Sequence, residues 1–155
     1  MPHKGKLTAV IQHRKIAESD AIREQNRVLG ILNQRKLELE SLRQKKQNIE
    51  HECLELEITL KKRALIAGDT SILLSSQELL CSKKNDLKRL EQEIKKQVES
   101  VNRANERLDY SNQELANARV EKKKVETIIK NREANAQLKI QAQEQDEFED
   151  IFTKK

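Results

Sequence analysis

Aromatic residues are almost missing: the 155 residues hold two Phe, one Tyr and no Trp, 2% in all. Aromatic side chains bury the most apolar area per residue, so a chain this poor in them cannot fill the centre of an ordinary globular domain. There are three glycines, and the single proline, Pro2, precedes every helical pattern. Few positions therefore force a helix to stop. Two cysteines, Cys53 and Cys81, are too few for a disulfide-stapled scaffold. The longest apolar run, Ala64-Leu65-Ile66-Ala67, is far short of the roughly 20 residues a membrane helix needs. Met1 to Lys6 carries charge but no apolar stretch of the secretory kind. No direct membrane insertion is expected, and the expected location is the cytoplasm.

Catalytic groupings are missing too. Gly5, Gly30 and Gly68 are scattered and form no phosphate-cradling loop. His51 and Cys53 lie two apart and point to different sides of a helix, while His3 and His13 are distant. The carboxylates sit on convex helix surfaces, where nothing excludes water or shifts a pKa. An enzyme is not expected, nor a metal ion or other cofactor.

What the chain has in quantity is charge, 37% of residues, with 31 Lys and Arg against 26 Asp and Glu for a net +5. With a mean hydropathy of -0.87 and Ala, Glu, Lys, Leu, Arg and Gln dominant, the profile is that of long helices rather than of disorder. An apolar seam of alternating four- and three-residue steps runs Val28, Leu32, Arg35, Leu39, Leu42, Lys46, Ile49, Cys53, Leu56, Leu60. A second runs Leu73, Ser76, Leu80, Lys83, Leu87, Leu90, Ile94, Gln97, Val101, Ala104, Leu108, Ser111, Leu115, Ala118, Lys122, Val125, Ile129. Carried forward, the first frame is one residue out of phase with the second, whereas a tolerated stutter or stammer inserts four or three residues. The chain is therefore expected to turn between them, where Gly68 suits a left-handed helix end and Ser75-Ser76-Gln77-Glu78 has capping-box spacing.

Folding one seam on the other pairs Leu60 with Leu80, Cys53 with Leu87, Leu39 with Val101 and Leu32 with Leu108, residue numbers that total 140 each time. Leu56/Lys83, Ile49/Leu90 and Arg35/Ala104 total 139, and half of either value falls in the turn. Extended outward, the ladder pairs Gln25/Leu115, Ala21/Ala118, Glu18/Lys122, Arg14/Val125 and Ile11/Ile129. The predicted fold is all-α: two long helices in an antiparallel coiled-coil hairpin, rod-shaped. Residues 1–6 are expected as a disordered lead, 7–66 as helix one, 67–75 as the turn and 76–148 as helix two. Helix two overhangs its partner from about residue 133, and 149–155 form a tail. In this register Cys81 lies near Ile58 or Thr59, too far along the axis from Cys53 for a disulfide. Glu57/Lys61, Glu91/Lys95, Glu99/Arg103 and Glu126/Lys130 have the spacing of stabilising pairs on a solvated face.

Three surfaces are candidates for partner contact. Arg119, Lys122, Lys123 and Lys124 lie opposite Arg14 and Lys15 at the base of the hairpin, suiting either a solvated face or an acidic protein surface. Nucleic acid is not expected, because stacking aromatics and a basic helix forked from a parallel dimer are both missing. The ending Glu144-Gln145-Asp146-Glu147-Phe148-Glu149-Asp150-Ile151-Phe152 is either a fraying tail or a docking segment with Phe148 and Phe152 as apolar contacts. At the tip, Ile72 and Leu74 are either self-packed in the turn or an exposed apolar contact.

A small basic two-helix chain with a turn near Gly68 and an ending of Glu144-Gln145-Asp146-Glu147-Phe148-Glu149-Asp150 resembles the stalk proteins of type III secretion systems, the FliJ and YscO family. That family's acidic ending is similar, with Lys usual where this chain has Asp146. The resemblance implies a hairpin whose paired helix ends sit inside a hexameric secretion ATPase. It also implies links to an export-gate protein and to secretion chaperones, at the periphery of a membrane-bound apparatus. It implies a monomer; a structural coiled-coil tether without an ATPase partner is the rival expectation, and would more often self-associate.

Overall fold

The computed structural model describes residues 2–65 and 70–153, with side chains from 5 to 64 and from 71 to 153. All of the described residues are helical: α1 spans Pro2–Leu65 and α2 spans Thr70–Thr153. The two pack against each other as an antiparallel hairpin, as the seams predict. Gly68 and the centre of the expected turn lie outside the described residues.

The helix ends differ from expectation in three places. The lead expected to be disordered is helical from Pro2, a residue whose fixed φ suits the first helical position and whose missing N–H is not needed there. At the other end of the turn, α2 begins at Thr70, so Ser75 is inside the helix and its capping-box spacing starts nothing. Ser71 to Ser75 contain no glycine or proline, and each adds a backbone hydrogen bond by joining the helix. The tail expected from residue 149 continues the helix to Thr153, whose hydroxyl donates back to the Glu149 carbonyl at 2.9 Å.

The chain divides into two compact units, Arg27–Asp109 and Met1–Asn26 with Tyr110–Lys155. In the first, Leu32, Leu39, Val101 and Ala104 form the core cluster, with Ile94, Val98 and Leu108 packed against it. In the second, Leu115 and Ser111 are buried and Gln25 Nε2 donates to Asn112 Oδ1 at 2.6 Å. Every buried residue among those described is a member of the expected seams, and no seam position from Val28 to Leu60 or from Leu73 to Ile129 is fully exposed. The period of the apolar pattern thus identified the buried stripe on each helix.

Cross-helix polar contacts scatter about the expected ladder: Glu18 meets Lys122 as it predicts and Glu57 meets Lys84 close to it, whereas Arg35, Lys83 and Arg14 reach about one turn away from the expected partner. Arg35 Nη1 donates to the Ser100 carbonyl at 3.1 Å and Gln97 Nε2 donates to the Arg35 carbonyl at 3.0 Å, so Arg35 sits against Gln97 and Ser100 rather than Ala104. Lys83 pairs with Glu52. In the other unit, Arg14 pairs with Glu121 instead of facing Val125. The reason is geometric: Arg, Lys, Gln and Glu side chains are long enough to reach a turn up or down the facing helix, and seam side chains interleave rather than meet head on, so facing residue numbers do not fix a single partner.

Charges flanking the seam behave similarly. Of the four expected intrahelical pairs, Glu99–Arg103 forms at 3.8 Å. Glu57 instead meets Lys84 at 3.2 Å across the helices, Glu91 meets Lys46 at 3.9 Å, and Glu126 meets Lys122 at 4.0 Å. A carboxylate beside the seam has a cation on the partner helix within reach as well as one on its own. Cys53 is buried, Cys81 is exposed and both are free thiols.

Two stability outcomes are expected. Leu32 is only 2% exposed, so Leu32→Ala should cost about 2 to 3 kcal/mol, the lower part of the range for core leucines because a two-helix site has room to relax. A Cβ placed on Gly30 meets nothing within 4 Å, and its position is mid-helix, so Gly30→Ala should add about 1 kcal/mol. Urea unfolding followed by circular dichroism measures both, and a neutral Leu32→Ala would contradict the assigned core.

Candidate protein-binding surfaces

The basic cluster at the base is largely neutralised within its own unit. Glu18, its side chain 18% exposed, lies 2.9 Å from Lys122 and 3.8 Å from Arg119. The sequence ladder anticipated the Glu18/Lys122 pair. Glu121 takes Arg14 at 3.9 Å and Lys124 at 3.1 Å. Among the described residues, the two cluster cations without an ion pair are Lys15 and Lys123, both exposed. The sequence reading paired Glu18 with Lys122 but missed Glu121, although helical spacing already put it one turn from Lys124.

The bond to the Glu18 carboxylate holds the Lys122 ammonium pKa above its usual value, and Glu126 adds to this against partial desolvation and the nearby Arg119. A raised lysine pKa in the folded state contributes stability that is complete below the unfolded value and is lost as pH rises through the folded one. On its lysine side, the pair therefore stays charged across the neutral range.

The tip and tail candidates are both exposed. Ile72 and Leu74 lie in the first turns of α2 at 47% and 60% exposure, so neither is packed into the hairpin. From Lys130 to Thr153 every residue is exposed, as the overhang predicts. Phe148 and Phe152, one helical turn apart, meet in a tilted arrangement with ring centroids 4.8 Å apart at 54°, and Ile151 is 65% exposed beside them. Glu144, Asp146, Glu147, Glu149 and Asp150 are spread around the helix within two turns of these rings, and none of them is in an ion pair among the described residues.

One further concavity was not anticipated. Where α1 begins, an open cleft of about 540 Å³ lies between Leu7 and Thr8 on one side and Ile129, Arg132, Ala136 and Ile140 on the other. Its signal was present in the sequence, since Ile129, Ala136 and Ile140 carry the apolar stripe of α2 onward into the overhang. Two shallower grooves in the other unit, around Ile49 and Leu90 and around Leu56 and Leu79, are rimmed with charges of both signs. Among the described residues no group of three or more His, Cys, Asp or Glu converges as a metal site would require, and no helix is long and apolar enough to cross a membrane.

No protein-family model, no curated protein and no solved structure matches this chain.

The ion-pair assignment is testable by titration. The thermal midpoint of the native protein should exceed that of Lys122→Met by a constant margin through the neutral range. The margin should shrink only as pH rises past the usual lysine value of 10.5. A margin that closes between pH 6 and pH 8 (about the range of histidine titration) would show that another group controls the base.

Proposed function

We propose that this hairpin is the central stalk of a type III secretion system, its base inserting into a hexameric secretion ATPase and promoting the assembly or turnover of that ring. The remaining surface would link the ring to the export gate or to secretion chaperones. The observation that carries this reading is the asymmetric base: an antiparallel helix pair from which α2 continues as a fully exposed helix to Thr153. The resemblance of its acidic ending to the FliJ and YscO family supports the same reading.

The physical basis is symmetry mismatch. A single hairpin in a sixfold ring cannot touch all six subunits equally, so it biases them toward different conformations through differential binding. Steering by charge comes from Lys15 and Lys123, since Arg14, Arg119, Lys122 and Lys124 are occupied by Glu18 and Glu121. Such steering weakens with added salt. The tail contributes Phe148 and Phe152 as apolar contacts.

A second reading, a structural tether without an ATPase, is favoured by the separate apolar patch at Ile72 and Leu74. Two exposed contacts, one at each end of α2, suit a linker between two proteins.

Hydrolysis by the secretion ATPase separates the two. The full chain should stimulate turnover at low salt, Lys15→Glu with Lys123→Glu should lower the stimulation several-fold, and removal of residues 133–155 should abolish it. Absence of both binding and stimulation by the full chain would reject the stalk in favour of the tether. Stimulation unaffected by either change would remove the base and tail from the mechanism.

A further inference from the structure

We propose that an acidic amphipathic helix of a partner protein docks on α2 in the place held by the first turns of α1, entering through the base cleft and displacing α1 residues 7–25. The surface it takes is a single stripe. At about 100° per residue, Leu115, Lys122, Val125, Ile129, Ala136 and Ile140 fall within about 40° of one line along α2. As far as Ile129 the stripe is shielded by α1, and beyond it Ala136 and Ile140 are exposed in the floor of the cleft. A helix seated on that floor in line with α1 can lengthen its contact only by taking over the covered part.

The segment that covers the stripe is weakly held. From Gly5 to Asn26 no residue of α1 is buried, and Leu7, Ile11 and Ile22 are half-buried. In the rest of α1, Val28, Leu32, Leu39 and Cys53 are buried. Polar contacts tie the segment to α2: Arg14 with Glu121, Glu18 with Arg119 and Lys122, and Gln25 with Asn112. Arg14 Nε and Ser111 Oγ are buried here without a hydrogen-bond partner, a cost that opening relieves. A segment with so few buried apolar contacts opens at low free energy.

Glu18 shows which chemistry can replace it. It is a carboxylate on an amphipathic helix, held by two cations of α2. The stripe and its edges carry Arg119, Lys122, Lys130, Arg132 and Lys139 against Glu121, Glu126 and Glu133. Of these cations, Lys130, Arg132 and Lys139 are in no ion pair among the described residues. A partner helix with carboxylates beside its apolar face therefore forms pairs that α1 does not make. The inference rests on the base alone and does not require the partner to be an ATPase, so either reading can fail while the other stands.

The probe is a synthetic helical peptide of about three heptads with Leu at a and d and Glu at e and g, beside a control with Lys at e and g. Added to the full chain, the Glu peptide should bind and should speed amide hydrogen exchange of residues 7–25 by about ten-fold or more, leaving residues 28–60 unchanged. Glu18→Gln weakens the covering segment and should tighten peptide binding several-fold. Arg132→Glu with Lys139→Glu, on the exposed part of α2, should weaken binding by about ten-fold or more. The Lys peptide should not bind, and light scattering of the chain alone should give the single-chain mass of 18.1 kDa. Failure of the Glu peptide to bind, binding without faster exchange of residues 7–25, equal affinity for the Lys peptide, or an affinity indifferent to Glu18→Gln would each overturn the inference. A doubled mass that the Glu peptide abolishes would assign the surface to a second copy and overturn it as well.

Discussion

A two-helix protein has one interface, and each helix can bury only the stripe that faces its single partner. This constraint explains why the core is a line of interleaved residues, with Leu32 and Ala104 at 2% and 1% exposure and large side chains such as Leu37 and Tyr110 left at 66% and 65%. It also explains why polar residues within the line matter. Arg35 and Gln97 occupy seam positions, and each reaches a backbone carbonyl or a carboxylate across the interface. These contacts are directional where leucine packing is not, so they favour one axial alignment over its neighbours one turn away.

Charge is arranged by the same constraint. Where the helices face each other, carboxylates and cations find partners across the seam: Glu52 with Lys83, Glu57 with Lys84, Glu91 with Lys46, Glu18 with Lys122. Past the first turns of α1, α2 continues without a facing helix among the described residues, and there the acids of the tail and the cations around the cleft are in no ion pair. The surfaces open to a partner are therefore those that lie past the end of the pairing, together with the short apolar stretch at Ile72 and Leu74. Most of the basic cluster is not among them, because Glu18 and Glu121 already occupy four of its six cations.

Much of the candidate surface was legible from residue order. The exposure of Phe148 and Phe152 follows from counting how far helix two outruns helix one, and the Glu18–Lys122 contact follows from extending the ladder. The internal neutralisation of the base was harder to read, since it depends on side chains five or six bonds long choosing among several partners within one turn. The cleft was missed because a stripe of Ile129, Ala136 and Ile140 looks like more seam until the position of Leu7 shows where the pairing ends.

The sequence by itself determined that the chain is helical, that it reverses once, and which stripe of each helix is buried, because heptad period and phase are properties of the chain alone. Only tertiary structure decided the axial register, the choice of cross-helix over same-helix ion pairs, and the early start of α2 at Thr70. Each of these is a choice between alternatives of similar local energy. A surface ion pair is worth about 0.2 to 1 kcal/mol wherever it forms, and a seam leucine is nearly as well buried one turn along. Local propensity cannot separate such alternatives, and the packing of one helix against the other does.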